Sequence, residues 1–155
     1  MEKKEFLPEE RIAISNRRAR HDYDILDVYE AGIVLKGSEV KSLRQGRANL
    51  QDSYADVKRG EVWLHNMHIS PFEQANRFNH DPVRDRKLLL NKSEIRKLIG
   101  KTTEKGLTLV PLKIYFKKGI AKVELALAKG KKSYDRREDI KKREVERDMR
   151  RNFRQ

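Results

Sequence analysis

The stretch VPLKIYFKKGIAKVELAL, residues 110–127, decides the fold. Its first half places apolar side chains at every second position: Val110, Leu112, Ile114 and Phe116. Its second half repeats the pattern with Val123, Leu125 and Leu127. Alternation with a period of two is typical of a strand that buries one face, and the break at Lys118 and Gly119 is typical of a hairpin turn. The stretch therefore predicts two antiparallel strands.

Further strands are predicted upstream of this hairpin. Residues 25–37 are rich in β-branched and aromatic side chains, and the interruption EAG predicts one long strand that is bent or bulged near Gly32. Residues 50–69 contain two strand-like runs on either side of Arg59 and Gly60, which predicts a second hairpin. Five or six strands with an inserted helix predict a mainly β protein, a small antiparallel barrel of the OB type with short helices.

Two short helices are predicted between the strands. Residues 38–46 have Ser38 in position to cap a helix and Gly46 in position to end it. Asn91 is followed three residues later by Glu94, which is the spacing of a capping box, and apolar residues then recur at helical spacing. We expect the second helix to begin at this box.

Composition divides the chain into three segments. Residues 1–15 mix charges with a single proline and are expected to form a flexible N-terminal arm. Residues 16–130 hold the predicted strands and helices, with a long ordered loop at 70–87, and are expected to form the OB-like barrel. Residues 131–155 are expected to form a basic C-terminal tail.

The C-terminal tail alternates acidic and basic side chains and has little to bury. Its acidic residues precede basic ones by four positions, which supports a helix weakly. Its sizeable apolar residues are Ile140, Val145 and Met149, too few to dock the tail on a core. We therefore expect the tail to be disordered alone and helical when bound to a charged partner. The alternative is a tail that only increases solubility.

The charge of the chain indicates a polyanionic partner. The 155 residues carry a formal charge of +13. Nucleic acid is the first candidate, since neutralising phosphates releases condensed counterions, and an anionic membrane surface is a weaker one because no segment has a broad apolar helical face. There is no cysteine, and no stretch has the apolar length of a signal peptide or membrane span, so the expected location is the cytoplasm.

The sequence gives no support for catalysis or a resident metal. The four histidines are His21, His65, His68 and His80. His65 and His68 lie an odd number of residues apart in a predicted strand, so their side chains leave opposite faces and do not share a metal ion. No phosphate-binding glycine loop, nucleophile elbow or pair of carboxylates facing a cleft is found. We therefore expect neither a cofactor nor enzymatic activity.

Three residues have side chains suited to RNA recognition, but each of them also fits an ordinary structural or solubilising role. Glu30 can accept a hydrogen bond from a guanine edge or a ribose hydroxyl, but it also fits an ordinary charge on a barrel surface. Asn91 can both donate and accept, but it also fits a helix cap. Tyr134 lies among cations, where an aromatic ring can stack on a base while the cations bind phosphates.

Six segments together closely resemble one known family. They are NRRARHDY (16–23), EAGIVLKGSEVKSLRQGRANLQDSYA (30–55), EVWLHNMHISPFEQANRFNHDP (61–82), RKLLLNKSEIRKLIG (86–100), KGLTLVPLKIYF (105–116) and VELALAKGKKSYDRRE (123–138). The family is that of the bacterial SsrA-binding proteins, also called small protein B. The resemblance implies an OB-type barrel that binds the tRNA-like domain of transfer-messenger RNA and delivers it to stalled ribosomes, without being an enzyme.

The resemblance also implies two groups of functional residues. The expected RNA-binding residues are His21, Glu30, Leu89, Asn91 and Lys129. The expected ribosome-binding residues are Gly130, Lys131, Lys132, Tyr134, Asp135, Arg136 and Arg137. Some members of the family have histidine where this chain has Tyr134, so stacking is expected here rather than a proton-dependent role.

The resemblance implies partners as well. In this family the tail is unstructured in solution and becomes helical in a vacant mRNA channel near the decoding centre. The expected partners are therefore transfer-messenger RNA and ribosomal RNA of the decoding centre and mRNA channel, with no membrane and with the chain as a monomer in the RNA complex. The main alternative is a general single-stranded nucleic-acid-binding OB module, and the third reading is a basic phosphohydrolase.

Overall fold

The computed structural model describes residues 10–104, 106–131 and 133–154. Its strands are β1 (Glu10–Ser15), β2 (Tyr23–Ile33), β3 (Ala48–Asn49), β4 (Tyr54–Lys58), β5 (Glu61–His65), β6 (His68–Ile69), β7 (Arg86–Leu89), β8 (Leu107–Lys117) and β9 (Ile120–Gly130). Its α-helices are α1 (Ala19–Asp22), α2 (Gly37–Arg44), α3 (Lys92–Thr102) and α4 (Ser133–Arg154). A 3-10 helix spans Glu73–Phe78. The prediction of a mainly β protein is confirmed.

The hairpin of β8 and β9 is the longest antiparallel pair, and the sequence prediction of it is confirmed. The two turn residues, Lys118 and Gly119, have φ angles of 52° and 79°. A tight hairpin turn needs left-handed backbone at both positions, which glycine adopts without steric cost. The pairing continues to Leu107 and Lys129, so the strands extend beyond the stretch in which the alternation is visible.

Among the described residues, six strands close into an antiparallel barrel in the order β8-β4-β5-β7-β2-β9, with β9 returning to β8. The two edges of β8 make this closure possible. One edge pairs with β9 along its length, whereas the other pairs with β1 and, at Leu109, with Ala55 of β4. The predicted barrel of five or six strands is confirmed with six. The described residues also contain β1, which pairs with β8, and the separate two-residue pair of β3 and β6, which shows no alternation in the sequence.

A bulge in β8 changes which of its side chains face the barrel interior. One extra residue, Leu112, stands between the pairs that Pro111 and Lys113 make with β9. An extra residue shifts the alternation by one position, so the single buried face predicted from the sequence is wrong in this half of the strand. Leu109 packs in the main core, whereas Val110 and Leu112 pack in a second, smaller cluster with the buried residue of α1.

The main core fills the barrel and anchors two helices to it. Its fully buried large side chains include Leu43, Leu64, Met67, Leu88, Leu98, Leu109, Ile114 and Leu125. Leu43 comes from α2 and Leu98 comes from α3. Burial of a leucine side chain stabilises a fold by about 1.5–3 kcal/mol, so each helix is held to the core in part by one such residue.

Strand β2 supplies residues to the candidate site, and its irregularity lies away from the predicted position. The register shifts between Ile25 and Asp27 rather than near Gly32. Gly32 is instead the residue at which β2 pairs with both neighbours, with Lys122 of β9 and with Leu89 of β7. A Cβ at Gly32 would lie 3.3 Å from the Leu89 Cβ. The glycine therefore permits close approach of β7, which is the other common reason for glycine inside a strand.

The two predicted helices are present, with one difference at a cap. In α3 the Asn91 N–H donates to Glu94 Oε1 at 3.1 Å, the reciprocal contact of a capping box, so this prediction is confirmed. In α2 the N-cap is Lys36 and not Ser38. The Glu39 carboxylate accepts the Lys36 N–H at 2.7 Å, so a buried acid in the first turn replaces the predicted serine cap.

The loop predicted at residues 70–87 is ordered and contains two elements that the sequence did not reveal, the 3-10 helix and the start of β7. The Asn79 side chain closes it: Asn79 Oδ1 accepts the Phe72 N–H at 2.8 Å, and Asn79 Nδ2 donates to the Phe72 carbonyl at 2.7 Å. β7 was missed because it is four residues long and its leucines run directly into the segment that precedes α3.

Part of the predicted N-terminal arm is a strand that pairs with the barrel. Residues Glu10–Ser15 form β1 and pair with β8, so the prediction of a flexible arm is wrong for this segment. The alternation of β1 is short and is interrupted by a register shift between Ile12 and Ile14, which is why the sequence did not reveal it. Residues 1–9 lie outside the described residues.

Residues Ser133–Arg154 of the tail form one helix, α4, on which three apolar side chains are exposed. Ile140, Val145 and Met149 are 42%, 53% and 55% exposed. A helix is the form predicted for the bound tail, and the disorder expected of the free tail stays a prediction. In the part of the chain that the structure describes, no helix is both long and apolar enough to cross a membrane.

Candidate nucleic-acid interface

Three of the five predicted RNA-binding residues line one surface cleft. Glu30, Leu89 and Asn91 share a cavity of about 450 Å³, which we call the Glu30 cleft. Its remaining lining residues are Gly32, Leu90, Glu94 and Lys122. The cleft thus combines an exposed apolar side chain with carboxylates, an amide and a cation. This is a set of groups that can read the edges and the ribose of an RNA nucleotide.

The topology explains why these three residues meet. Glu30 lies two residues before Gly32, and Gly32 pairs directly with Leu89 at the end of β7. The chain then turns into α3, whose N-cap is Asn91. Leu89 is 51% exposed although Leu88 beside it is 1% exposed, as expected for alternate faces of a strand. Glycine at position 32 therefore allows the acid, the leucine and the amide to meet.

Glu30 is held as an ionised hydrogen-bond acceptor. The Tyr115 hydroxyl donates to Glu30 Oε2, and Lys117 Nζ lies 3.5 Å from the same oxygen. The hydrogen bond from Tyr115 is the largest influence on the pKa of the Glu30 carboxyl, and with Lys117 and Lys122 it lowers that pKa below its usual value against the opposing effect of burial. The carboxylate is therefore ready to accept a hydrogen bond from a ligand at neutral pH.

The other two predicted RNA-binding residues lie at the far end of β2 and β9, beside the start of the tail. Asp24 pairs with Lys129 there. His21 Nδ1 lies 3.0 Å from Asp22 Oδ1, and the Lys131 N–H donates to the Asp22 carbonyl at 2.9 Å. This end is separated from Glu30 by six or seven residues of strand, roughly 20 Å at about 3.3 Å per residue. The predicted RNA-binding residues therefore lie in two patches at opposite ends of β2, and their role in binding stays a prediction.

The patch near the start of the tail adjoins a second cleft that the sequence did not reveal. The cleft has a volume of about 480 Å³ and is lined by Asn16, Arg18, Ala19, Asp22, Tyr23, Gln51, Asp52, Ser53, Tyr54, Thr108 and Val110. The basic run NRRARHDY was a signal for its N-terminal wall. Nothing in the sequence indicated that residues 51–54 form the opposite wall of this cleft, because they belong to a turn and show no alternation.

The predicted ribosome-binding residues are placed only in part. Gly130 ends β9, and Lys131 is half-buried between β9 and α4. Lys132 lies outside the described residues. The backbone of Tyr134, Asp135, Arg136 and Arg137 forms the first turns of α4, so the roles expected of these side chains stay predictions.

Two of the four histidines are structural. His80 is buried, with Nδ1 2.8 Å from Ser38 Oγ and Nε2 2.9 Å from the Ile69 carbonyl oxygen. His65 is buried between two carboxylates, with Nε2 2.7 Å from Asp56 Oδ1 and Nδ1 2.8 Å from an Asp85 oxygen. Burial favours the neutral ring, but the two aspartates outweigh it and raise the pKa of His65. In the described ranges, no group of three or more His, Asp or Glu side chains is arranged to hold a metal ion.

A buried ion-pair network fixes the strand that carries Leu89. Arg86 and Glu39 are both fully buried, and Arg86 Nε donates to Glu39 Oε2 at 2.6 Å. Arg84 Nη2 donates to the other oxygen of Glu39 at 2.6 Å. The sequence did not reveal this network, because charged residues in a chain with this composition are expected on the surface.

The fold and its charge define a class: a small, strongly basic protein whose antiparallel sheet closes into a barrel and whose C-terminal extension is helical. The model of the family described as SmpB protein matches residues 13–155. The chain belongs to the SmpB family.

Individual relatives agree with this assignment. The SsrA-binding protein of Desulforudis audaxviator is 66% identical over 140 residues, which are 90% of this chain and 92% of the relative. The SsrA-binding protein of Bacillus subtilis is 59% identical over 144 residues, which are 93% and 92% of the two chains. A chain of the solved structure "tmRNA-SmpB: a journey to the center of the bacterial ribosome" is 59% identical, with a TM-score of 0.66 over 77% of this chain and 85% of that chain.

Proposed function

We propose that this protein is an RNA-binding factor of trans-translation. It binds the tRNA-like domain of transfer-messenger RNA and delivers it to stalled ribosomes, where its C-terminal tail enters the vacant mRNA channel near the decoding centre. Two findings support this proposal: the relatives are named SsrA-binding proteins, and a chain 59% identical to this one was solved in a structure described by tmRNA, SmpB and the ribosome.

One observation in the structure carries the RNA-binding part of the proposal. Glu30, Leu89 and Asn91 come from three elements and converge on one cleft. A leucine that is half exposed costs free energy in water and offers an apolar surface to a base or ribose. The ionised Glu30 repels phosphate, so it has no place in a purely electrostatic site and fits the recognition of a hydrogen-bond donor.

The barrel and the tail have separate tasks in this proposal. The barrel, residues 16–130 together with β1, presents a rigid surface to a folded RNA. The tail, residues 131–155, follows ribosomal RNA phosphates, and message in the channel excludes it sterically. The 22 residues of α4 form a rod of about 33 Å at 1.5 Å per residue. Neither task needs a chemical step, so we infer that the protein acts by binding and not as an enzyme.

The identity of the bound RNA is tested by purification from the host. The full chain is isolated at low salt, and the RNA that accompanies it is sequenced. The proposal predicts one dominant RNA, the transfer-messenger RNA. A broad mixture of transcripts would instead favour a general single-stranded-nucleic-acid-binding module, since stacking and phosphate contacts accept any sequence.

The role of the cleft is tested with a charge-matched pair of variants. Glu30→Gln and Glu104→Gln each remove one negative charge, and Glu104 is exposed and lies outside the cleft. A hydrogen bond to a charged group is worth about 1.5–3 kcal/mol, so Glu30→Gln is expected to weaken binding of the tRNA-like domain about tenfold or more. Glu104→Gln is expected to bind equally or slightly more tightly. Equal behaviour of the two variants would contradict a recognition role for Glu30.

A further inference from the structure

Glu30 presents two unlike oxygens to the cleft. Its Oε2 atom accepts from the Tyr115 hydroxyl and lies 3.5 Å from Lys117 Nζ. Among the residues that the structure describes, no hydrogen bond or ion pair is made to the second oxygen of Glu30, Oε1. A carboxylate has about four lone-pair positions, so one oxygen remains available to accept a hydrogen bond from a ligand. The protein thus uses one oxygen to fix the carboxylate and leaves the other oxygen available to a ligand.

We propose that Tyr115 is a positioning residue for RNA recognition: its hydroxyl fixes the Glu30 carboxylate so that the remaining oxygen accepts from a donor of the bound RNA. The donor is a base N–H or a ribose hydroxyl, because a carboxylate cannot contact phosphate favourably. This inference rests on the proposed function, since it deepens the account of the same cleft. Tyr115 was not among the residues expected to contact RNA.

The position of Tyr115 suits this role. Its side chain is 5% exposed, and it lies on β8, the strand that pairs with both β1 and β9. Lys113 Nζ lies 5.5 Å from the centre of its ring. A buried ring on a paired strand has little freedom, so its hydroxyl is a fixed donor. A phenol also carries no charge at neutral pH, so it orients Glu30 without attracting phosphate to the wrong place.

The surrounding charges explain why Glu30 needs a fixed partner. Glu30 pairs across the strands with Glu124, and like charges directly opposite each other repel. Glu94 lies on the other side of the same cleft. Two cations, Lys117 of β8 and Lys122 of β9, oppose this repulsion. Without the Tyr115 hydroxyl, the carboxylate would be free to turn toward the lysines and away from the RNA.

The first test measures binding of a transcript of the tRNA-like domain to the full-length chain. Tyr115→Phe removes only the hydroxyl and is expected to weaken binding about fivefold to tenfold, less than the loss of a hydrogen bond made directly to the RNA, because Tyr115 acts through Glu30. Tyr29→Phe is the matched control, because it removes a tyrosine hydroxyl that donates to the Asp27 carboxylate at 2.9 Å outside the cleft. The control is expected to bind the transcript like the parent chain.

A double-mutant cycle and a titration separate positioning from general stability. In the Glu30→Gln background, Tyr115→Phe is expected to have little further effect, since the group that it positions is already changed. The carboxyl carbon of Glu30, followed by NMR, is expected to titrate at higher pH in Tyr115→Phe, whereas Tyr29→Phe leaves it unchanged. Lys117→Met, which removes the more distant contact, is expected to weaken binding about twofold.

The outcomes distinguish the inference from the proposed function. If the parent chain shows no preference for the transcript over unrelated RNA, the proposed function fails. If the parent chain binds and Glu30→Gln weakens it, but Tyr115→Phe binds like the parent, the inference alone is overturned. Additive effects of Tyr115→Phe and Glu30→Gln would overturn it as well, because independent contributions mean that Tyr115 does not act through Glu30.

Discussion

Replacement of Arg86 by leucine tests whether the buried ion-pair network holds the strand that forms the RNA cleft. The Arg86 side chain is fully buried and donates to three acceptors: Glu39 at 2.6 Å, the Met67 carbonyl at 2.6 Å and the Pro82 carbonyl at 3.1 Å. Arg86→Leu removes all three donors and leaves the Glu39 carboxylate buried with Arg84 as its remaining side-chain partner. The variant therefore loses the charge balance of the barrel interior.

The expected cost follows from the burial of both charges. Removing one member of a buried ion pair costs about 3–5 kcal/mol, since the other charge stays in a low-dielectric environment. Burial opposes ionisation of Glu39, but the hydrogen bonds from Arg84, the Lys36 N–H and Arg86 outweigh it and lower the pKa of the Glu39 carboxyl. Without Arg86 that balance shifts toward the neutral acid, which reduces the cost, so we expect about 3 kcal/mol rather than the upper value.

The assay is urea unfolding followed by fluorescence of Trp63, the single tryptophan of the chain. Trp63 pairs with Lys87, the residue after Arg86, so it reports on this part of the barrel. Lys87→Met is the matched control: Lys87 and Glu61 form a pair 2.7 Å apart with side chains 37% and 44% exposed. A pair of this kind contributes about 0–1 kcal/mol.

Two results would refute this reasoning. One is a loss of less than about 1 kcal/mol in Arg86→Leu, the size expected for a surface pair. The other is additivity with Glu39→Met, because the double variant removes both charges and is expected to be more stable than the sum of the single losses. In the expected case, Arg86→Leu also weakens RNA binding, since β7 then holds Leu89 less firmly against β2.

Two further predictions concern a histidine and a leucine. His65→Gln is expected to cost about 2 kcal/mol at pH 6 and less at higher pH, because hydrogen bonds to charged groups are lost. The folded-state pKa of His65 is raised above the usual 6.5 by Asp56 and Asp85, so its protonation stabilises the fold fully below pH 6.5 and that stabilisation is lost as pH rises through the folded value. Unfolding measured from pH 6 to 9 is expected to show this decline in the parent chain, and an equal decline in His65→Gln would contradict it. Leu89→Ala is expected to weaken binding of the tRNA-like domain about threefold to tenfold with little change in stability, since the side chain is 51% exposed. Ile120→Ala, at the exposed hairpin turn, is expected to leave binding unchanged, and comparable losses in both variants would count against a specific role for Leu89.

Patterns within a short stretch of sequence, either the alternation of a strand or the spacing and cap of a helix, predicted several elements of the fold. The β8–β9 hairpin, the hairpin at Arg59 and Gly60, and α3 with its capping box all agree with the structure. Their signals lie within a few residues of one another. β3, β6 and β7 were missed because strands of two to four residues have no period to detect, and β1 was missed because its alternation is interrupted between Ile12 and Ile14. The bulge at Leu112 was missed because it depends on pairing with β9, which the local sequence does not contain.

The candidate site was predicted as a set of residues but not as an arrangement. The family resemblance selected Glu30, Leu89 and Asn91, and the structure brings them together because Gly32 pairs with Leu89. His21 and Lys129 were also predicted to bind RNA, and they lie at the other end of β2 and β9, a separation that the sequence alone did not show. A role for Tyr115 was not predicted, because its hydrogen-bond partner Glu30 is 85 residues away in the sequence.

The central claim is that the barrel recognises a folded RNA and the tail recognises an empty ribosomal channel. It is tested most directly by comparing the full chain with a chain that ends at Lys131, in two binding measurements. The shortened chain is expected to bind the tRNA-like domain of transfer-messenger RNA as tightly as the full chain. It is expected to lose the full chain's preference for ribosomes without message over ribosomes whose channel is filled. Weakened RNA binding together with an unchanged preference for vacant ribosomes would contradict the account.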